Sequence, residues 1–114
     1  MVQLQSNRVM HDGVEIGQFV FEDNHIEKLD IKHEYQNKGY GTEALRLYLK
    51  NMVSQNYDVV TTTPVTSSAM AHILEKLGFQ RISNPAQYDF LDGNIEERYL
   101  SCYIHHRGTA DGEE

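Results

Sequence analysis

The stretch of sequence that decides the fold is IKHEYQNKGYGT, residues 31–42, in which a strand passes through a glycine-containing turn directly into a helix. The glycines Gly39 and Gly41 let the backbone turn sharply and approach a ligand closely. The unpaired amides at the start of the following helix favour an anion, and Lys38 adds a positive charge beside them. The pattern therefore predicts a phosphate-binding turn.

The residues before this stretch predict three strands. Residues 9–21 are rich in β-forming side chains, and the dipeptide Asp12-Gly13 among them is typical of a hairpin turn. Residues 22–24 supply a second turn, and residues 25–32 alternate between apolar and polar side chains. The third predicted strand thus has one covered face and one polar face.

The residues after the turn predict two helices and three further strands. The predicted elements are a helix from Thr42 to about Gln55, a strand at 57–63 that ends before Pro64, a helix from an N-cap at Ser67 or Ser68 to Gly78, and strands at 79–82 and 98–104. The order β-β-β-α-β-α-β-β indicates an α+β fold with a central, mostly antiparallel sheet and two main helices.

Length and charge bound the class of protein. A chain of 114 residues is typical of one domain, which we assign to residues 1–107, followed by a disordered acidic tail at 108–114. No stretch reaches the roughly 18 apolar residues of a membrane span, so we expect a cytoplasmic protein without a membrane partner. The net charge of −7 argues against a nucleic-acid partner and weakly favours a cationic one.

Two other interpretations of the glycine turn remain, namely a dinucleotide-binding turn and a turn without a ligand. The residues Gly39, Gly41 and Ala44 also satisfy the dinucleotide pattern G-x-G-x-x-A, with Asp58 near the distance expected for a ribose-binding acid. Seven residues separate the strand from the glycines, however, and the 73 residues after Gly41 are too few for a doubly wound six-stranded sheet. The turn can also simply join a strand to a helix.

The chain resembles the GNAT superfamily of acyl-CoA-dependent N-acyltransferases in two motifs. The family signature Q/R-x-x-G-x-G/A at a strand-to-helix turn matches Gln36-Asn37-Lys38-Gly39-Tyr40-Gly41. A helix end with the phrase E-K-L-G-F matches residues 75–79, after the strand and the helix expected between the two motifs. The resemblance extends over residues 14–82.

This resemblance implies acetyl-CoA as the acyl donor and an amine as the acceptor, without a metal. The turn at 37–42 would hold the CoA pyrophosphate through main-chain amides, and residues 29–31 would pair with the pantetheine arm as an added strand. A main-chain N–H near Leu29 or Ile31 would polarise the thioester carbonyl. The residues assigned to acetyl-CoA are Leu29, Asp30, Ile31, Gln36, Asn37, Lys38, Gly39, Tyr40, Gly41, Thr42 and Ser67.

The sequence departs from the family at the positions that transfer protons. The family's helix tyrosine falls at Leu74, its strand glutamate at about Thr62, and the asparagine near the helix start at Ser67. Other members carry a base on the strand before the glycine turn, where this chain offers His25 and Glu27 as catalytic candidates. Strict alternation places both on the side of Leu29 and Ile31. Solvated strand-end side chains, or a water chain in place of a base, are the alternatives.

Other reactive residue types have more ordinary explanations. The six histidines show no spacing typical of a metal site, and His105 and His106 point to opposite faces of a predicted strand. Cys102 alternates with apolar neighbours, which favours a buried role over a nucleophilic one. Three tyrosines, Tyr88, Tyr99 and Tyr103, either line an acceptor cleft or pack on the sheet.

The sequence therefore predicts an acetyl-CoA-dependent N-acetyltransferase, with a catalytically silent acyl-CoA-binding module as the alternative. Members of the family usually insert about two helices between their first two strands, and these help to wall the acceptor site. The short connection at Asp12-Gly13 leaves no room for them. We therefore expect a homodimer, in which a second copy completes the acceptor cleft.

Overall fold

The structure, a computed structural model, describes residues 1–65, 67–83, 90–91, 94–95 and 101–108. Its helices are α1 (Tyr40–Ser54) and α2 (Ser68–Lys76), with a short 3-10 helix at His33–Tyr35. Its strands are β1 (Val2–Gln5), β2 (Arg8–His11), β3 (Val14–Glu22), β4 (His25–Ile31), β5 (Val59–Thr62), β6 (Gln80–Ser83), β7 (Phe90–Leu91), β8 (Asn94–Ile95) and β9 (Ser101–His106). Most of the tail predicted at 108–114 lies outside the described residues.

Seven strands form one mixed sheet in the order β1-β2-β3-β4-β5-β9-β6. All neighbouring strands in it are antiparallel except β4 and β5, which are parallel. The predicted hairpin turn joins β2 to β3, where His11 pairs with Val14, and the second predicted turn joins β3 to β4. The predicted α+β class, with a mostly antiparallel sheet and two main helices, is confirmed.

One strand of this sheet was not predicted. The strand β1 has only two apolar side chains, Val2 and Leu4, and it forms because it pairs along its whole length with β2. Ser6 makes the connecting turn with a positive φ of 56°. The Val2 N–H also donates to the Glu43 carboxylate in the first turn of α1, at 2.6 Å. Pairing and helix contact, which local sequence does not report, stabilise this strand.

Glycine and serine mark the starts of both helices and the end of α2. Gly39, with φ 83°, is the N-cap of α1, so this helix starts at Tyr40, two residues before its predicted start. Ser67 is the N-cap of α2 and accepts a hydrogen bond from the Met70 N–H, which decides between the two predicted caps. After Lys76 the chain turns at Gly78, as the sequence predicts, and the Phe79 N–H donates to the Leu74 carbonyl.

The core lies between α1, α2 and one face of the sheet, here called the helix face. Tyr48 of α1 packs on the rings of Phe19 and Phe21, and Leu74 and Leu77 of α2 belong to the same buried cluster. Tyr103 is 3% exposed within it, which confirms sheet packing for this tyrosine; Tyr88 and Tyr99 lie outside the described residues.

The opposite face of β1–β4, here called the open face, is polar. Residues that pair across neighbouring strands project to the same face, and the row of Gln5, Arg8, Gln18 and Asp30 is exposed in all four strands. Among the described residues no helix covers this face, because β1, β2, β3 and β4 follow one another through short turns. The predicted lack of helices between the first strands is thus found in this part of the chain.

Candidate functional site

The sheet splits between its two parallel strands. β4 pairs with β5 at only two positions, His25 with Thr61 and Ile26 with Thr62, although β4 continues to Ile31. The last links across the split come from Thr63, whose N–H donates to the Ile26 carbonyl and whose hydroxyl donates to the Glu27 carbonyl. These links mark the apex of the split. Beyond the apex, one edge of β4, here called the free edge, has no strand partner among the described residues.

The main chain of Leu29 and Ile31 points to this free edge. The Asp30 carbonyl faces β3, since a Cβ placed at Gly17 would collide with it. Because main-chain groups alternate along a strand, those of Leu29 and Ile31 face the other way. The Ile31 carbonyl accepts a hydrogen bond from Gln36 Nε2 at 2.9 Å, and the Leu29 groups lie one step nearer the apex. The edge can therefore accept an extended ligand as an added strand.

The glycine turn places the start of α1 beside this edge. Asn37 and Gly39 both have positive φ, 62° and 83°, and reverse the chain within three residues. The first amides of α1 then have no partner within the helix, and the helix dipole makes this end favourable for an anion. Gly41 brings α1 close to α2, because a Cβ at this position would lie 3.2 Å from Ile73 Cδ1.

A cleft of about 460 Å³ joins the free edge, the glycine turn and α2. All the residues predicted to bind acetyl-CoA line it except Lys38, which is exposed beside it. The lining residues that the sequence motifs do not mark are Tyr35, Ala69, Met70, His72, Ile73 and Lys76. Four of these, at 69, 72, 73 and 76, have the i, i+3, i+4, i+7 spacing of one helix face, which is the signal that could have found them.

The two catalytic candidates lie at the apex of the split and do not line this cleft. A β-bulge interrupts β4 here: Val20 pairs with Lys28, but the next residue of β3, Phe21, pairs with Ile26. Glu27 is the extra residue. The bulge reverses the alternation, so the prediction that His25 shares a face with Leu29 and Ile31 is wrong. His25 projects to the open face.

The His25 side chain has defined neighbours on that face. Its Nδ1 lies 2.7 Å from the hydroxyl of Thr61 on β5, and Glu22 is directly opposite on β3. The imidazole is half-buried, whereas Glu27 is exposed. Polar side chains of three adjacent strands therefore form one row at the apex.

The family's usual proton-transfer positions are occupied by structural residues. Leu74 is fully buried in the core. The Thr62 hydroxyl donates to the Thr63 carbonyl and accepts from the Tyr103 N–H of β9, so it is engaged in hydrogen bonds within the sheet in both roles. Ser67 lines the cleft, and its hydroxyl caps α2. Leu74 and Thr62 cannot transfer the proton.

The structure speaks against the dinucleotide interpretation. Asp58 pairs with Arg107 at 3.7 Å and lies beyond the far end of α1, whose 15 residues span roughly 22 Å from the glycine turn.

Within the described ranges, no group of three or more potential metal ligands occurs. Cys102 is half-buried beside Ile82, and burial raises the pKa of its thiol, which disfavours the nucleophilic thiolate.

A mixed sheet that splits between two parallel strands, with a glycine turn beside its free edge, is typical of an acyltransferase domain. The sequence model of the Acetyltransferase (GNAT) family matches residues 13–79, more than half of the chain and both motifs. The chain belongs to this family.

Solved structures agree on the fold. A polyamine N-acetyltransferase from Drosophila melanogaster that forms N-acetylagmatine has a TM-score of 0.64 at 12% identity, with 87% of this chain and 73% of that one covered. A GNAT acetyltransferase from Elizabethkingia anophelis with acetyl-CoA bound has a TM-score of 0.57 at 14% identity, with coverages of 85% and 71%.

This chain spans only part of the length of a third structure. A GCN5-related N-acetyltransferase from Rhodopseudomonas palustris has a TM-score of 0.60 at 18% identity; 87% of this chain is covered, but only 59% of that one. A search of curated proteins finds no match. Neither helix in the described part of the chain is long and apolar enough to cross a membrane.

Proposed function

We propose that this protein is an N-acetyltransferase that transfers an acetyl group from acetyl-CoA directly to an amine. The observation that carries the proposal is the free edge of β4 at Leu29–Ile31, which opens into the same cleft as the glycine turn. The pantetheine arm would pair with that edge, and the pyrophosphate would accept hydrogen bonds from the first amides of α1.

In the proposed reaction, the amine nitrogen attacks the thioester carbonyl carbon. A C–N bond forms, the C–S bond breaks, and the CoA thiolate takes up a proton. The Leu29 N–H, at the free edge near the apex, would donate to the carbonyl oxygen as negative charge develops on it. An alkylammonium acceptor, with a pKa near 10.4, must first lose a proton. We propose His25, or Glu27 beside it, as the base.

Amine acceptors are supported by the similar structures, one of which is a polyamine acetyltransferase. A peptide N-terminus, a lysine, a polyamine and a small amine-bearing metabolite are all compatible with the site. The net charge of −7 favours encounter with the cationic candidates.

The experiment is incubation of the protein with acetyl-CoA and a panel of such amines, with release of free thiol as the measurement. We expect release that depends on both protein and amine. Calorimetric binding of CoA, measured in parallel, separates the two classes of function. Binding without thiol release from any amine would support the alternative, a silent acyl-CoA-binding module, and absence of both would contradict the site itself.

We also propose that a second copy of the chain completes the acceptor side. The open face of β1–β4 has no helix over it among the described residues, and it is on this face that His25 projects. A partner there would supply the wall that longer family members build from their own chain.

A further inference from the structure

We propose that Thr61 is a positioning residue, whose hydroxyl holds the His25 imidazole in the form that accepts a proton from the acceptor amine. The inference rests on the proposed function and assigns a role to a residue that the family motifs do not mark. It would make His25, rather than Glu27, the base.

Strand pairing holds the side chains of His25 and Thr61 next to each other. His25 and Thr61 are partners in the parallel pairing of β4 and β5, one step before the strands separate. The Thr61 N–H donates to the Asn24 carbonyl at 2.9 Å, which anchors Thr61 against the start of β4. The contact of 2.7 Å between Thr61 Oγ1 and His25 Nδ1 therefore joins two side chains whose main chains are already held in register.

The open face is the side from which an amine can reach the apex. Ile26, Phe19 and Tyr48, all buried, close the helix face there. The described residues of β1–β4 leave the open face uncovered, and His25 projects to that face because of the bulge at Glu27. The same irregularity that removes His25 from the donor cleft thus places it where the acceptor must approach.

We assign the proton of this hydrogen bond to His25 Nδ1, with the Thr61 hydroxyl as the acceptor. When His25 Nδ1–H donates to the Thr61 hydroxyl, Nε2 keeps its lone pair and can accept the proton of the ammonium. The charged and polar groups that face the ring are Glu22 on β3 and Thr61 on β5, with Glu27 and Lys28 next on β4.

The first test is the protonation state of the ring. In ¹⁵N spectra at pH 8, with the signal assigned by its loss in a His25→Ala variant, we expect the proton on Nδ1 of His25. In Thr61→Val, which removes the hydroxyl at nearly constant volume, the Nε2–H form should gain population, and Thr61→Ser should keep the wild-type form. A wild-type ring protonated on Nε2 would overturn the proposal.

The second test is kinetic. His25→Ala should lower kcat by about 100-fold and Thr61→Val by about tenfold, with KM for acetyl-CoA unchanged and Thr61→Ser within about twofold of wild type. In the His25→Ala background, Thr61→Val should have no further effect on kcat. An equal loss in both backgrounds would show that Thr61 acts on the sheet and not through His25.

The two tests separate this inference from the proposed function. If no amine releases thiol, the proposed acetyl transfer fails, while the ¹⁵N spectra still decide whether Thr61 sets the form of the His25 ring. If thiol is released but the spectra of the Thr61→Val and wild-type proteins agree, the proposed function stands and the role of Thr61 is wrong.

Discussion

Gly39 and Gly13 share the left-handed backbone conformation, with φ of 83° and 82°, and in both cases no atom beyond the neighbouring residues lies within 4 Å of the place where a Cβ would lie. Replacement of either by alanine should lower the free energy of unfolding by about 1 kcal/mol, because a side chain disfavours this conformation whatever the space around it. Urea titration measures the loss in both variants.

The two variants should differ in ligand binding. Gly39 lines the cleft at the start of α1, whereas Gly13 lies in the β2–β3 turn. Gly39→Ala should weaken CoA binding by about tenfold, which corresponds to about 1.4 kcal/mol, and Gly13→Ala should leave the Kd unchanged. Equal Kd values for Gly39→Ala and wild type, by calorimetry, would count against a phosphate cradle at this turn.

At the residue scale, the sequence predicts the position of the glycine turn but not the face of the sheet to which His25 projects. Conformations such as those of Gly39 and Gly78 are marked by residue type, so the sequence predicts where the chain turns. The face to which His25 projects depends on a bulge at Glu27, and a bulge is a property of strand pairing. Strict alternation therefore predicts the wrong face for His25, which lies two residues before the bulge.

At the scale of elements, α1 is tied to the sheet through Tyr48. This side chain is 1% exposed, and its hydroxyl donates to the Asp23 carbonyl in the β3–β4 turn at 2.8 Å. Tyr48→Phe leaves that carbonyl without this donor. We expect the free energy of unfolding at pH 7 to fall by about 1 kcal/mol, measured by urea titration.

The same variant tests a pH dependence. Burial raises the pKa of Tyr48 above its ordinary value near 10, so the unfolded chain loses this proton first as the pH rises. Wild-type stability should then fall above pH 10, with Tyr48 contributing a slope of at most about 1.4 kcal/mol per pH unit. Tyr48→Phe lacks that contribution, so its deficit relative to wild type should shrink above pH 10. Parallel curves for the two proteins would contradict this account.

Element order was largely predictable because glycine or serine marks the start of each helix and because the strand between the helices, β5, is rich in β-branched side chains. The remaining features of the fold depend on pairing between strands. The strand β1 exists through its partners, and the split between β4 and β5 follows from two paired positions out of the seven residues in β4. No local residue pattern marks where such pairing stops, so the sequence predicts the donor turn but not the apex.

At the scale of the whole molecule, the open face determines the kind of assembly we expect. Two ion pairs lie on it within one chain, Arg8 with Glu15 at 3.4 Å and Lys28 with Asp30 at 3.2 Å. An interface built on such a polar surface resembles those of transient complexes rather than those of obligate dimers. A second copy should therefore associate reversibly.

Reversible association predicts that activity depends on protein concentration. If the partner walls the acceptor side, thiol release per chain should fall on dilution, in step with the dimer fraction measured by sedimentation. Lys28→Glu, which places a negative charge on the β4 side of the open face, should shift both curves to higher concentration while the Kd for CoA stays unchanged, since Lys28 does not line the donor cleft. A protein that remains monomeric at every concentration and keeps constant activity per chain would show instead that one copy forms the whole acceptor site.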